Sequence, residues 1–111
     1  MTVTNVRLFE NVQTVAANTI ESIYTSPISG KGTLITNITA SNDTAITRSY
    51  KAYLSSTTPT LATVPVRILI AAETDIPPEL SGQFLPAGVS IWVETSAATS
   101  ISFTGSGREI T

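Results

Sequence analysis

A period of two runs through this chain, carried by β-branched residues. Leu34, Thr36, Ile38 and Ala40 fall on one face of such a run, and Ile35, Asn37, Thr39 and Ser41 on the other. In the next run Ile46, Tyr50, Ala52 and Leu54 oppose Thr47, Ser49, Lys51 and Tyr53, with Arg48 breaking the apolar face near its rim. Val89, Ile91 and Val93 oppose Ser90, Trp92 and Glu94, and Ile101 and Phe103 alternate with Ser100, Ser102 and Thr104. Nineteen Thr and thirteen Ser dominate the polar positions, and Ile and Val the apolar ones. Thr, Ile and Val are stiff at χ1 and suit a pleated surface better than a helix. Val12–Ala16, Thr19–Thr25 and Val64–Ala71 read as further strands.

Turn chemistry separates the runs. Pro27 with Gly30-Lys31-Gly32, Ser41-Asn42-Asp43-Thr44, Ser55–Thr60 and Ser96–Thr99 each end a strand. Asn42-Asp43 reads as a hairpin turn before a binding loop. In Pro86-Ala87-Gly88 the proline suits the second position of a tight turn and the glycine a positive φ after Ala87. Asp75–Ser81 is irregular, with room for one helical turn capped by Asp75. Seven or eight strands at this spacing predict an all-β, single antiparallel β-sandwich, jelly-roll or immunoglobulin-like, and not a βαβ fold. A length of 111 residues fits one domain. Within it, residues 1–23 read as an N-terminal arm with the first strand or strands, and 24–111 as the sandwich.

Composition excludes several chemistries. The chain has no cysteine and no histidine, so thiolate and imidazole chemistry, disulfides and the usual zinc ligands are absent. Its net charge of −2 gives no footprint for nucleic acid or an anionic membrane. Only 13% of residues are charged, against about 25% in ordinary soluble domains, which suits a surface covered inside an assembly. Residues 1–10 lack the cationic start and apolar run of a signal peptide, and no segment reaches the length of a spanning helix. An intact Met1 points to a product made in a host cytoplasm without processing.

No catalytic constellation emerges. Glu73-Thr74-Asp75 is the densest carboxylate cluster, but it lacks a third acidic neighbour for calcium. Glu21, Glu94 and Glu109 sit on separate strands, and nothing singles out a glycosidase pair among them. Gly30-Lys31-Gly32 and Gly105-Ser106-Gly107 read as turns outside any strand–loop–helix phosphate site. The expectation is no enzyme, no cofactor and no metal.

A resemblance adds to this. Tyr24-Thr25-Ser26-Pro27, the turn glycines Gly30 and Gly32, the run Leu34-Ile35-Thr36-Asn37-Ile38 through Asn42, then Leu85-Pro86-Ala87-Gly88-Val89-Ser90-Ile91 and the closing Gly107-Arg108-Glu109-Ile110 resemble a pattern in small virion structural proteins of tailed bacteriophages. It spans about Tyr24 to Ile110. It implies a β-sandwich in a head, tail or fibre, and hence a virion localisation. On the residues' own chemistry, Tyr24 is a core aromatic near the sandwich edge.

Two residues stand out as subunit contacts. Trp92 lies opposite Ile91 and Val93, which claim the inward face, so it points outward. Ile68, Leu69 and Ile70 make the Val64–Ala71 run apolar on both faces, with Leu69 assigned away from the core. A strand apolar on both faces is covered on both. The second cover is a loop, the N-terminal segment or another chain, and Pro65 keeps the start of the run at an edge or bulge. The reading is a phage head decoration or cement subunit, forming a symmetric homo-oligomer such as a trimer and docking on the major capsid protein. A tail, baseplate or fibre component is the alternative within that class. A host-surface or glycan-binding module is the alternative outside it, with Trp92 as its sugar platform.

Overall fold

A computed structural model describes residues 2–111. They form nine strands: β1 (Val3–Val12), β2 (Glu21–Thr25), β3 (Gly32–Asn42), β4 (Arg48–Ser55), β5 (Val64–Leu69), β6 (Thr74–Asp75), β7 (Phe84–Pro86), β8 (Ser90–Thr95) and β9 (Ile101–Ile110). Among the described residues there is no helix, and the chain is an antiparallel β-sandwich as its alternation predicts. The expectation attached to Met1 lies outside the described residues.

One sheet runs β1-β9-β3-β6, with β7 also paired to β3, and the other runs β2-β8-β4-β5. The pairings nest: β1 with β9, β2 with β8, β3 with β6 and β7, and β4 with β5. Such nesting is that of one long hairpin folded at the β4–β5 connection. Rolling it brings β9 against β3 and β8 against β4, which closes two facing sheets. This is the jelly-roll arrangement. An immunoglobulin-like sandwich would pair several consecutive strands within a sheet, whereas here only β4 and β5 do so. The short β6 and β7 together supply one strand position, because both pair with β3, β7 at its start and β6 near its end.

Alternation fills the space between the sheets. Ile35, Ile38, Ala40, Ile101 and Phe103 come from one sheet, and Tyr50, Ala52, Val64, Leu69, Ile91 and Val93 from the other. The Tyr50 and Phe103 rings meet edge to face, centroids 5.5 Å apart.

Bulges decide where alternation misleads. The β3–β9 register slips between Ile35 and Asn37, so Thr36 is an extra residue. The inward parity therefore changes along β3: Ile35 is fully buried before the bulge, Ile38 and Ala40 after it. Leu34, expected on the face of Ile38, is only half-buried and stands opposite Arg108 instead.

Other local expectations are corrected. Residues 3–12 form one continuous edge strand on β9, so no separate strand spans Val12–Ala16 and this segment is part of the sandwich. Asn42 does not turn a hairpin, since the chain there crosses between sheets. Its buried amide donates to the carbonyls of Ile46, Leu69 and Ile70, at 2.9, 3.1 and 3.1 Å, and its carbonyl accepts from Thr44. Ile46 precedes β4 and is exposed rather than on its apolar face. Gly88 takes the positive φ expected, at 84°, but Val89 N–H donates to the Pro86 carbonyl, which puts Pro86 first in the turn and not second. Gly105 and Gly107 are not a turn but the middle of β9. A Cβ on Gly105 would lie 2.4 Å from the Phe9 ring, so glycine is what lets that ring cross the strand toward Tyr24.

Two polar clasps tie the sheets at opposite ends of β3. At its start the Tyr24 hydroxyl meets Thr33 Oγ1 at 2.9 Å and donates to Glu109 at 2.7 Å, while Ser26 bonds Thr33. Burial first, with Glu109 adding, pushes the Tyr24 hydroxyl up to about 12. Near the other end Asp75 accepts both arms of Arg67, at 2.8 and 2.7 Å, and the Tyr50 hydroxyl at 2.8 Å. The Arg67 bonds hold the Asp75 carboxyl below its ordinary value. Asp75 thus spans the sheets and caps no helix.

Candidate interaction surface

The outward face of the β2-β8-β4-β5 sheet carries the residues picked out for contact. On β8 the alternation is unbroken: Ile91 and Val93 are buried and Trp92 points outward, as expected. Trp92 is partly covered within its own chain. Its Nε1–H donates to the Ser55 carbonyl at 3.0 Å, and Tyr53 stands opposite it on β4. Tyr53 is buried without belonging to the central core. Its hydroxyl donates to Glu94 at 2.7 Å, and Lys51 lies 3.9 Å from the same carboxylate. Burial, then Glu94, pushes the Tyr53 hydroxyl up to about 12.

On β5 the assignment of faces is reversed. Leu69 is 2% exposed and lies in the core, not outside it. The cause is a slip in the β4–β5 register: Tyr50 pairs with Arg67 but Ala52 with Val64, so β5 carries an extra residue at Pro65–Val66. One extra residue shifts the parity of everything after it. The outward row is therefore Val66, Ile68 and Ile70, at 54%, 68% and 62% exposure. The signal was present in the sequence, for Pro65 marks an edge or bulge, and a bulge at that point turns Leu69 inward.

Neither a loop nor the N-terminal segment covers this row among the described residues. Ile46 and Ile76 are also exposed. Ile46 and Ile70 are tied together through the Asn42 amide, and Ile76 follows Asp75, which holds Arg67 of β5. Of the charges beside this row, Arg67 is matched by Asp75 and Lys51 by Glu94, while the Glu73 carboxylate accepts the Ile70 N–H at its end.

The acidic residues weighed for chemistry are dispersed and engaged. Glu21 accepts the backbone N–H groups of Val15 and Ala16, Glu73 that of Ile70, and Glu109 the Tyr24 hydroxyl. Among the described residues no three acidic side chains converge as metal ligands would. Comparison with protein-family models, curated proteins and solved structures finds no match to the chain.

Proposed function

We propose that this chain is a non-enzymatic structural subunit of a tailed-phage particle, a head decoration or cement protein that docks on neighbouring shell subunits. The observation that carries the reading is the bare apolar row of β5. A strand apolar on both faces calls for two covers, and its own chain supplies only one. A protein bound at many equivalent shell positions stabilises the particle by mass action, and an uncharged apolar row is suited to that adhesion. The sequence resemblance to small virion proteins supports the same class, with a tail, baseplate or fibre position as the variant within it. Its partners would be its own copies and the major capsid protein. The jelly roll alone does not separate the readings, since viral capsid and lectin domains share it.

Trp92 keeps a glycan-binding module as the second reading, because an outward Trp beside Tyr53 and Glu94 has the parts of a sugar platform. The shell reading expects no saturable change in Trp fluorescence across host polysaccharides at millimolar concentration. A shift that disappears in Trp92→Ala would favour the module.

The direct test compares neighbours on β5. Ile68→Asp should leave the fold intact and abolish binding to shells lacking the protein, as read by co-sedimentation. Leu69→Asp should unfold the chain, as read by circular dichroism, because it buries an unpaired carboxylate. An Ile68→Asp variant that binds shells like the parent would overturn the proposal.

A further inference from the structure

A groove of about 540 Å³ opens on the outer face of the β1-β9-β3 sheet, walled by Asn5, Arg7, Thr36 and Arg108 and floored at Ser106. Its shape comes from the strands. β1 carries an extra residue at Leu8, between Arg7 and Phe9, and β3 one at Thr36, so a bulge stands on each side of β9 at Ser106. A bulge bends its strand and re-aims the side chains beside it. Thr36 ties this point down, its hydroxyl donating to the Ser106 carbonyl at 3.0 Å. Register then places the charges. Arg7 stands opposite Ser106 and Asn5 opposite Arg108, so the four share one face and the two arginines are diagonal neighbours on adjacent strands. Diagonal side chains of an antiparallel pair lie ~7–8 Å apart. Like charges at that spacing repel, and no carboxylate lines the groove to offset them. Among the described residues Arg108 forms no ion pair, and the adjacent Glu109 is turned to Tyr24. Arg7 reaches only Glu10, at 3.2 Å, with the two side chains 54% and 64% exposed, a contact that water and salt screen. A chain of net charge −2 thus keeps two poorly compensated guanidinium groups side by side.

We infer that this groove takes an extended acidic segment of a partner protein, with carboxylates at alternate residues seated on Arg7 and Arg108. An extended chain rises ~3.3 Å per residue, so side chains two apart leave one face ~6.6 Å from each other, close to the diagonal of the two arginines. Each guanidinium offers a carboxylate a fork of two parallel N–H donors. The Asn5 amide and the Ser106 hydroxyl lie between the forks and can bond to the segment's main chain. A single small oxyanion would leave most of the groove empty. The inference is independent of the β5 row, which belongs to the other sheet, and of where the chain sits in a particle.

Fluorescence polarisation with a labelled peptide of alternating glycine and glutamate tests it. Binding should be saturable at low ionic strength and weaken as salt is added. Arg7→Gln and Arg108→Gln should each weaken it about tenfold or more, the scale of one lost charge-assisted pair. Circular dichroism should stay that of the parent, since both side chains are exposed. Lys51→Gln removes the same charge from the other sheet and should leave binding unchanged. A peptide with the same number of glutamates in one unbroken block should bind more weakly. No saturable binding at millimolar peptide would overturn the inference. So would an equal loss in Lys51→Gln, equal binding of the block peptide, or displacement by equimolar inorganic phosphate, which would reduce the groove to a site for simple anions.

Discussion

Among single residues, Asp75 does the most with the fewest atoms. It takes two bonds from Arg67 and one from Tyr50, and so joins the two sheets. Its folded pKa lies below the unfolded value, so its contribution is full above the ordinary carboxylate pKa of about 3.9 and fades as pH falls through the lowered one. Because Arg67 is one-third exposed, solvent screening trims the gain. Asp75→Asn should lower unfolding stability by about 1–2 kcal/mol at pH 7, and in denaturant titrations the gap to the parent should narrow progressively as pH falls below the ordinary carboxylate pKa. A gap that stays constant from pH 7 to pH 2 would show that the charge is not what matters. This clasp was not legible beforehand. Glu73-Thr74-Asp75 drew attention as a possible calcium cluster, yet Asp75's partners lie on β4 and β5, brought near by the roll of the chain and by no local spacing.

Among the elements, strand faces were legible wherever pairing is regular and failed where a bulge intervenes. The unbroken β8 put Trp92 outward as read from its alternation, and Ile91 and Val93 inward. On β3 and β5 one extra residue reversed the parity, which misplaced Leu34 and Leu69. Glycines inside β9 were hidden for another reason: Gly-Ser-Gly is turn-like by composition, and only the ring of Phe9 from β1 explains Gly105. Gly105→Ala should therefore destabilise by about 1–3 kcal/mol through overpacking. Its cost should shrink when combined with Phe9→Ala, as measured in a double-mutant cycle. Additive costs would mean that the ring is not what the methyl meets.

For the whole molecule, the class was open to a reader of the sequence because a period of two, β-branched residues and spaced turns all point to a sandwich. The topology was not. Nested pairing depends on contacts such as Val3 with Ile110, near opposite ends of the chain, which no local pattern encodes. That topology leaves β5 at a sheet edge, and the bulge then turns Val66, Ile68 and Ile70 to the outside. The central claim is that these three side chains are covered by neighbouring subunits in a virus particle. Electron microscopy of intact particles carrying the chain, with copy number from mass spectrometry, tests it most directly. The account predicts many symmetry-related copies on the particle, each with Val66, Ile68 and Ile70 buried against another subunit. Absence of the chain from the particle, or copies whose β5 row faces open solvent, would contradict it.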